Sequence, residues 1–417
     1  MSARRATPRG VTLVELVVAM AVTALVMLSV LAIVESQQRA YYQGHRQRAA
    51  QSAARAAMLF LEQELITAGY GLDAPLAFDF DRYHGPCPAE MGACPRDATD
   101  NADEIVFYSR NPRYWVPDDY TSEPRGKAWR ITALGIGSVS VMARPGDVFL
   151  KGQVLQAVCR GAGAYAYFTV ETTAEVTPDP LDPFKPTPIT LSLAGTLADE
   201  PFRRQDGAAD ACFNGGQARM FQVDRRRFHV RPVQSGGAWV PYLVLDAGVD
   251  ENRDGTIDSL DEVILAEGIE VLQFGYVLTS NALAPRGAVP GKGIPMVRAA
   301  SGTLGGDGLT LLDFPGLVEP GVSIYRPSSF YGYTFGPPPA NQRLTDHQGN
   351  IRAVRIAVGA RSPTPAPSSS IRTTTIVPVM NMDALPAWVD TSDHYARVTL
   401  TTAVPIRNMA VRAMTDF

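Results

Sequence analysis

Residues 11–34 read VTLVELVVAMAVTALVMLSVLAIV, an apolar run that contains a single acidic residue, Glu15. As an α-helix this run would be about 36 Å long, enough to cross a hydrocarbon core of about 30 Å. A secretory signal has a shorter apolar region, followed by a cleavage site made of small residues. The run therefore predicts a membrane-spanning helix that stays in the protein.

The ten residues before the run, MSARRATPRG, are polar and basic. They carry Arg4, Arg5 and Arg9, and positive residues flanking a span favour its cytoplasmic side. Residues 1–10 are therefore interpreted as a cytoplasmic leader, with the bulk of the chain on the other side of the membrane. The processing point in this region is Gly10, which lies before the span rather than after it.

Glu15 is the informative residue of the span. A carboxylate near the centre of a spanning helix costs about 2.5–3.5 kcal/mol on insertion scales, and less towards an end. Such a residue normally needs a partner. The simpler alternative is a signal-anchor helix whose one acidic side chain lies among the lipid headgroups.

The stretch Gly10-Val11-Thr12-Leu13-Val14-Glu15, followed by unbroken apolar sequence, resembles the class III prepilin motif of type IV pilins and pseudopilins. The resemblance implies that a prepilin peptidase cleaves between Gly10 and Val11 and methylates the new amine of Val11. It also implies that Glu15 is the assembly glutamate, which pairs with the N-terminal amine of a neighbouring subunit. Val11 departs from the family, where phenylalanine is most frequent.

The helix is predicted to continue through residues 35–68 as an amphipathic segment. The whole helix, from Val11 to residue 68, would be about 87 Å long. Gly44 is expected to be a local weak point rather than a break. Gly69, Gly71 and Pro75 are expected to end the helix. Five residues at spacings of three and four form a stripe that could pack on a globular head: Ala50, Ala54, Ala57, Leu61 and Leu65.

Residues 69–417 change to short β-type runs separated by Gly, Pro and Asp turns, which predicts a single β-rich head and an α+β protein overall. The predicted strands are Ile105–Ser109, Val139–Met142, Val148–Leu155, Tyr165–Val170, Phe228–Val233, Trp239–Leu245, Val271–Leu278, Ile351–Val358 and Tyr395–Ala403.

Three segments of the head, 264–278, 351–362 and 396–412, resemble the C-terminal blocks of PilW-type minor pilins. This resemblance implies an inner-membrane protein with a periplasmic head that later joins a pilus at the cell surface. Its implied partners are other minor and major pilins and the inner-membrane assembly machinery. Its implied role is to initiate or cap pilus assembly, and a large head suits a position at the tip.

Two alternatives to the minor pilin stay open. The Arg407-Asn408 pair after a strand is similar to J-type pseudopilins of type II secretion, which share the leader and the fold. The third hypothesis is a calcium-dependent tip adhesin that binds through residues 75–245 and the proline-rich loops.

Residues 250–261, DENRDGTIDSLD, have the spacing of a calcium-binding loop. Oxygen-bearing side chains fall at loop positions 1, 3, 5, 9 and 12, with Gly255 at the sharp turn of position 6. Glu262 follows directly as an alternative last ligand, and a solvated acidic turn is the alternative to a metal site. The predicted structural Ca²⁺ ligands are Asp250, Asn252, Asp254, the Thr256 carbonyl, Asp258 and Asp261.

The four cysteines are Cys87, Cys94, Cys159 and Cys212. None forms a C-x-x-C pair, which argues against a zinc ribbon or a thioredoxin-like motif. In an oxidising compartment Cys87 and Cys94 could close a small disulfide loop, worth about 2.5 kcal/mol by chain entropy. Cys159 and Cys212 could form a second bridge, but the sequence does not fix connectivity, and free buried thiols are the alternative.

The net charge argues against nucleic-acid binding, and the absence of catalytic motifs argues against an enzyme. The formal net charge is −4, whereas nucleic-acid binders carry a cationic excess. The chain has none of the common nucleophile, zinc-protease, phosphate-loop or dinucleotide motifs, so we do not expect an enzyme. The five histidines are scattered, with no two at metal-ligand spacing: His45, His84, His229, His347 and His394.

Overall fold

The computed structural model describes residues 12–72, 77–78, 102–110, 128–135, 137–159, 164–177, 180–182, 185–193, 218–278, 351–365, 389, 394–406 and 408. Within these ranges one long helix precedes fourteen strands, which confirms the predicted α+β class. The elements are α1 (Leu13–Leu65), β1 (Ile105–Arg110), β2 (Ala128–Gly135), β3 (Ser138–Ala143), β4 (Val148–Phe149), β5 (Val154–Cys159), β6 (Ala164–Thr169), β7 (Ala174–Glu175), β8 (Thr187–Ser192), β9 (Ala218–Ser235), β10 (Ala238–Asp246), β11 (Val263–Glu267), β12 (Ile269–Leu278), β13 (Ile351–Arg361) and β14 (Arg397–Pro405).

Helix α1 is one unbroken element of 53 residues. It passes through Gly44 without interruption, as expected for a weak point with good helix formers on both sides. It ends at Leu65, three residues before the predicted end at residue 68. Turns follow, with Gly69 and Gly71 at positive φ of 73° and 69°. These left-handed conformations are open to glycine at little cost, so Gly69 and Gly71 shape the turns that follow the helix end, and Pro75 lies outside the described residues.

The predicted stripe on α1 is the face that the head covers. Ala50, Ala54, Ala57, Leu61 and Leu65 all have no exposed surface. Four of them belong to the main hydrophobic core, together with residues of β1, β9, β10 and the β12–β13–β14 sheet. Alanines in this stripe let the helix lie close to the sheet, while the leucines fill the space between them. The prediction of a head-packing stripe is confirmed.

One strand from each of the three segments that resemble minor-pilin blocks joins an antiparallel sheet, in the order β12-β13-β14. This sheet packs against α1 through buried side chains such as Val354, Ile356 and Val404. Sequence separation hides this convergence, because residue 278 and residue 351 are far apart along the chain. The segments thus build the surface that holds the helix.

A buried ion cluster joins the strands of this sheet. Glu270 on β12 is fully buried and accepts hydrogen bonds from Arg397 on β14, at 2.7 and 3.1 Å. Arg361 on β13 also donates to Glu270, at 3.2 Å, and to the carbonyl of Trp239 on β10. A buried carboxylate is costly unless it is paired, so the two guanidiniums are needed to hold it.

Strand β9 connects two hydrophobic cores. Among the described residues it belongs to a nine-stranded antiparallel sheet, in which it pairs with β1, β2, β5 and β10. Its first residues, such as Met220, lie in a core formed with β2, β3, β5, β6 and β8. Its later residues, Phe228 and Val230, lie in the core that covers α1. One strand of 18 residues therefore contributes to both cores.

The C-terminal end of α1 is fastened to the head by hydrogen bonds to its backbone. The Gly69 N–H donates to the carbonyl of Tyr108 on β1, at 2.9 Å. The Asn408 side chain donates to the carbonyls of Ile66 and Ala68, at 3.0 and 3.3 Å. Carbonyls at a helix end lack intrahelical donors, so Asn408 satisfies groups that would otherwise need water.

A buried arginine lies under the turn that follows α1. A Cβ on Gly71 would come within 2.9 Å of the Arg110 side chain, so this position requires glycine both for space and for φ. Gln156 accepts hydrogen bonds from Arg110 at 3.0 and 2.7 Å. Burial lowers the pKa of Arg110 to about 10, which still leaves it charged at neutral pH.

One predicted strand is wrong. Val148–Leu155 is two strands, because a turn at Lys151 and Gly152 separates β4 from β5. Gly152 has a φ of 84°, and a Cβ there would lie 2.2 Å from the Gly248 carbonyl oxygen. The apolar residues on both sides of the turn gave a continuous β-type pattern that concealed it.

The stripe predicts a sharp difference between two leucines of the same helix. Leu61→Ala, at a position with no exposed surface, should lower the free energy of unfolding by about 2–5 kcal/mol. Leu59→Ala, at a position 55% exposed, should change it by less than about 0.5 kcal/mol. Denaturant unfolding of the full-length protein in detergent, followed by tryptophan fluorescence, measures both. Equal losses would contradict the packing described.

Candidate functional site

The N-terminal half of α1 is an uncovered apolar surface. Every residue from 12 to 43 is exposed, including all the large apolar side chains between Leu13 and Val34. Of the described part of the chain, only this helix is long and apolar enough to cross a membrane. Such a surface is unstable in water, so it requires a bilayer or other apolar helices around it.

Glu15 lies in the first turn of this helix and forms a capping box with Thr12. The Thr12 N–H and hydroxyl both donate to Glu15 Oε2, at 2.9 and 3.1 Å, and the Glu15 N–H donates back to the Thr12 hydroxyl at 3.3 Å. The box satisfies N–H groups at the helix start and places the carboxylate at the positive end of the helix dipole. Among the described residues, Oε1 of Glu15 accepts no hydrogen bond, so it can take a further donor.

The role of Thr12 is not among the sequence-based predictions, although the T-x-x-E spacing of Thr12 and Glu15 is a signature of a capping box. The processing residues Gly10 and Val11 lie outside the described residues. Cleavage between them and methylation of Val11 therefore stay predictions.

The second predicted site, residues 250–261, forms a compact loop between β10 and β11. Its first and last carboxylates, Asp250 and Asp261, are 1% and 4% exposed, and Gly255 has a φ of 91° as the predicted sharp turn requires. These two side chains accept five backbone hydrogen bonds of 2.8–3.1 Å: Asp250 from Asp254 and Gly255, and Asp261 from Glu251, Asn252 and Asp258.

Other parts of the head hold the loop in place. Lys151, in the turn between β4 and β5, donates to the carbonyl of Gly255 at 2.5 Å. Asp254 accepts from the hydroxyl and the N–H of Thr256, at 2.6 and 2.8 Å. These bonds lower the pKa of Asp254, with the hydroxyl contributing most. These hydrogen bonds give the loop a defined shape.

The donor set is chemically suited to calcium, which prefers oxygen ligands. An ionised carboxylate has about four lone-pair sites, so the backbone hydrogen bonds leave acceptor capacity on Asp250 and Asp261. Within the described ranges, however, no three His, Cys, Asp or Glu side chains gather as a metal site. Calcium binding by Asp250, Asn252, Asp254, Thr256, Asp258 and Asp261 stays a prediction.

Glu262, the alternative last ligand, contacts side chains of β9. It forms an ion pair with Arg231 and lies 3.4 Å from Nε2 of His229, both on β9. Residues 261 and 262 are adjacent in sequence, but the start of β11 directs their side chains to different neighbours. The spacing of residues in the sequence does not show that Asp261 and Glu262 have different partners.

Asp246 anchors the loop at its entrance. Burial raises the pKa of Asp246, but the guanidiniums of Arg225 and Arg227 and the N–H of Gly248 outweigh it and hold the pKa below its ordinary value. The distances to Arg225, Arg227 and the Gly248 N–H are 3.3, 3.2 and 2.6 Å.

Three predicted cysteine positions, Cys87, Cys94 and Cys212, lie outside the described residues. Cys159 ends β5, where its backbone pairs with Ala164 and Ala218, but its side chain is not among those described. Both disulfide hypotheses therefore stay predictions.

Comparison with known proteins adds one finding. Residues 5–31 match the family described as the prokaryotic N-terminal methylation motif. The matched stretch includes Gly10, Val11 and Glu15. Searches of curated proteins and of solved structures found no match. The motif and the exposed apolar helix together support a membrane-anchored protein of the type IV pilin or pseudopilin class.

We predict that the full-length protein in detergent binds Ca²⁺ in an isothermal titration, because the loop offers six oxygen ligands. Asp250→Ala combined with Asp254→Ala should abolish the heat of binding. Glu171→Ala, at an exposed position outside the loop, should leave it unchanged. No binding at millimolar calcium, or binding unaffected by the double change, would refute the site.

Asp246 predicts an acid-sensitive contribution to stability. Its pKa is lower in the folded protein, so its contribution is complete above the unfolded value of about 3.9 and is lost as the pH falls through the folded value. Asp246→Asn should cost about 1.5–3 kcal/mol at pH 7 and flatten the decline in unfolding free energy below about pH 4. Unfolding between pH 3 and 7 tests this, and an unchanged acid slope would count against it.

Proposed function

We propose that this protein is a minor pilin of the PilW type, which helps to initiate or cap assembly of a type IV pilus. The observation that carries the proposal is the division of α1 into two halves. One half is buried against the head through the Ala50–Leu65 stripe, and the other is exposed, with Glu15 as the one acidic side chain in its mostly apolar stretch from Leu13 to Val34. A helix built in this way fits a subunit that assembles by packing its free half beside other helices.

The chemistry of Glu15 supports assembly rather than simple anchoring. Among the described residues, Oε1 of its carboxylate is available while Oε2 bonds to Thr12. In an apolar environment a second donor on this carboxylate is worth more than in water, so the amine of a neighbouring subunit is a favourable partner. Prepilin peptidase would expose an amine of this kind at Val11 by cutting after Gly10.

The size of the head supports a position at the end of a filament. Residues 69–417 are about six times as long as the helix-forming segment before them. A bulky head is hard to repeat along a shaft in which helices lie side by side. In this proposal the head is periplasmic before assembly, and the partners are other minor and major pilins and the inner-membrane assembly machinery.

The sheet that holds α1 favours the minor-pilin assignment. It is composed of the three segments that resemble PilW-type blocks, and Asn408, part of the pair similar to J-type pseudopilins, caps the end of α1. A J-type pseudopilin of type II secretion is therefore the second candidate. Genes for pilus subunits or for secretion components beside this gene would distinguish the two.

The calcium-dependent adhesin is a further hypothesis, with the 250–261 loop as its metal site. It differs from the other two because pili would still form when the head cannot bind its target. Cells that make pili with a head-deleted subunit would lose adhesion under this hypothesis alone.

Piliation in a deletion strain tests the proposed function. Loss of the protein should reduce pili per cell strongly, and the wild-type gene should restore them. Glu15→Ala should be cleaved and stay in the membrane but fail to restore pili, because the assembly carboxylate is lost. The matched control is Glu35→Gln, which removes the carboxylate just beyond the span. This variant should restore pili. Normal piliation without the protein would overturn the proposal.

A further inference from the structure

The segment of α1 between the span and the buried stripe, residues 35–49, has its own surface chemistry. Tyr41 and Tyr42 are 69% and 62% exposed, and Arg39 is exposed beside them. The two rings lie 5.9 Å apart in an edge-to-face arrangement. Two large exposed aromatic rings on a part of the helix that the head leaves uncovered need an explanation.

The height of these residues above the membrane follows from helix geometry. Glu15 and Val34 are about 28 Å apart along α1, close to the thickness of a hydrocarbon core. With Val34 at the edge of that core, Arg39 lies about 7 Å beyond it, and Tyr41 and Tyr42 about 10–12 Å beyond it. The polar headgroup layer occupies about 5–7 Å on each side.

The side chains shorten this distance because they point back towards the membrane. Side chains on an α-helix tilt towards its N-terminus, which here is the end inside the bilayer. The described contacts follow this direction. Arg39 bonds to Glu35, one turn nearer the membrane, and Arg46 Nε donates to the carbonyl of Tyr42 at 3.4 Å. The tilt therefore brings Arg39 and both rings towards the headgroup layer.

The charge of the segment selects the kind of lipid. Residues 35–49 contain Arg39, Arg46 and Arg48 against a single acid, Glu35. Guanidinium groups pair well with phosphate, and each basic residue near an anionic membrane surface strengthens the attraction. Tyrosines have an apolar body and a polar tip, which suits the boundary between chains and headgroups.

We propose that Arg39, Tyr41 and Tyr42 form a headgroup belt that binds anionic phospholipids in the leaflet on the head's side of the membrane. The belt goes beyond the proposed function, since it rests on membrane anchoring and not on a role in pilus initiation. It holds the unassembled subunit at a fixed depth, so that Glu15 stays at the opposite edge of the hydrocarbon core. A subunit that leaves the membrane has to exchange these lipid contacts for others.

Distance gives the belt a graded test. Arg48 lies about 21 Å from Val34 and Arg55 about 31 Å, so they are progressively further from the headgroups than Arg39. Electrostatic attraction decays over about 8–10 Å at physiological salt. The arginines should therefore contribute in the order Arg39, Arg48, Arg55, with no contribution from Arg55.

Native mass spectrometry of the full-length protein in detergent, with equal amounts of phosphatidylglycerol and phosphatidylcholine, measures lipid selectivity. The wild-type protein should retain phosphatidylglycerol preferentially. Arg39→Gln should reduce the preference about fivefold, Arg48→Gln less, and Arg55→Gln should leave it unchanged. Tyr41→Ala with Tyr42→Ala should reduce retention of both lipids. Both tyrosines are exposed, so these changes spare the core.

Free glycerol phosphate, added in excess, should not displace the lipid if the belt recognises a membrane surface rather than phosphate alone. Equal retention of the two lipids by the wild-type protein would overturn the proposal. So would matching losses in Arg39→Gln and Arg55→Gln. Because lipid retention is measured on the isolated subunit, its failure is distinguishable from a failure to support piliation.

Discussion

The packing of one narrow stripe of α1 against the β12–β13–β14 sheet is the interaction on which the rest of the molecule depends. Five residues from Ala50 to Leu65 lose all their exposed surface there. Burial of this apolar area supplies the free energy that fixes the direction in which the helix leaves the head. The part of α1 that precedes Ala50 is positioned by that direction, including Glu15.

The bilayer imposes the complementary constraint on the other half of the helix. Backbone polar groups inside a membrane have to be satisfied within the segment, and a single helix does this alone. The helix can then offer every side chain from Leu13 to Val34 to lipid or to other helices. The capping box of Thr12 and Glu15 extends the same principle to the helix start, where N–H groups would otherwise lack acceptors.

Local patterns in the sequence predict much of this arrangement. The stripe can be predicted because Ala50, Ala54 and Ala57 repeat at helical spacing. Gly69 can be predicted as a turn residue because glycine adopts left-handed backbone conformations at little cost. The sharp turn at Gly255 follows from loop spacing in the same way. Val148–Leu155 misleads because both halves are apolar and the turn at Gly152 depends on contact with Gly248, about a hundred residues away.

Long-range contacts explain the other misses. Nothing near Asn408 indicates that it caps a helix ending more than 340 residues earlier. The same holds for Glu270, whose partners Arg361 and Arg397 come from two distant strands. The candidate site residues also differ in whether local sequence or the tertiary fold reveals their contacts. Glu15 is evident from its own neighbours, whereas the different partners of Asp261 and Glu262 require the tertiary fold.

One unbroken helix runs from the membrane-spanning segment into the head and passes through Gly44. Spin labels introduced as unnatural amino acids at Gln37 and Arg55 lie on opposite sides of Gly44. They are also five full helical turns apart, and so on the same face. Pulsed electron resonance on the full-length protein in lipid nanodiscs should give a single narrow distribution of distances between the two labels, centred at about 27 Å. A broad distribution, or a clearly shorter main distance, would show that the helix bends at Gly44 and would contradict this account.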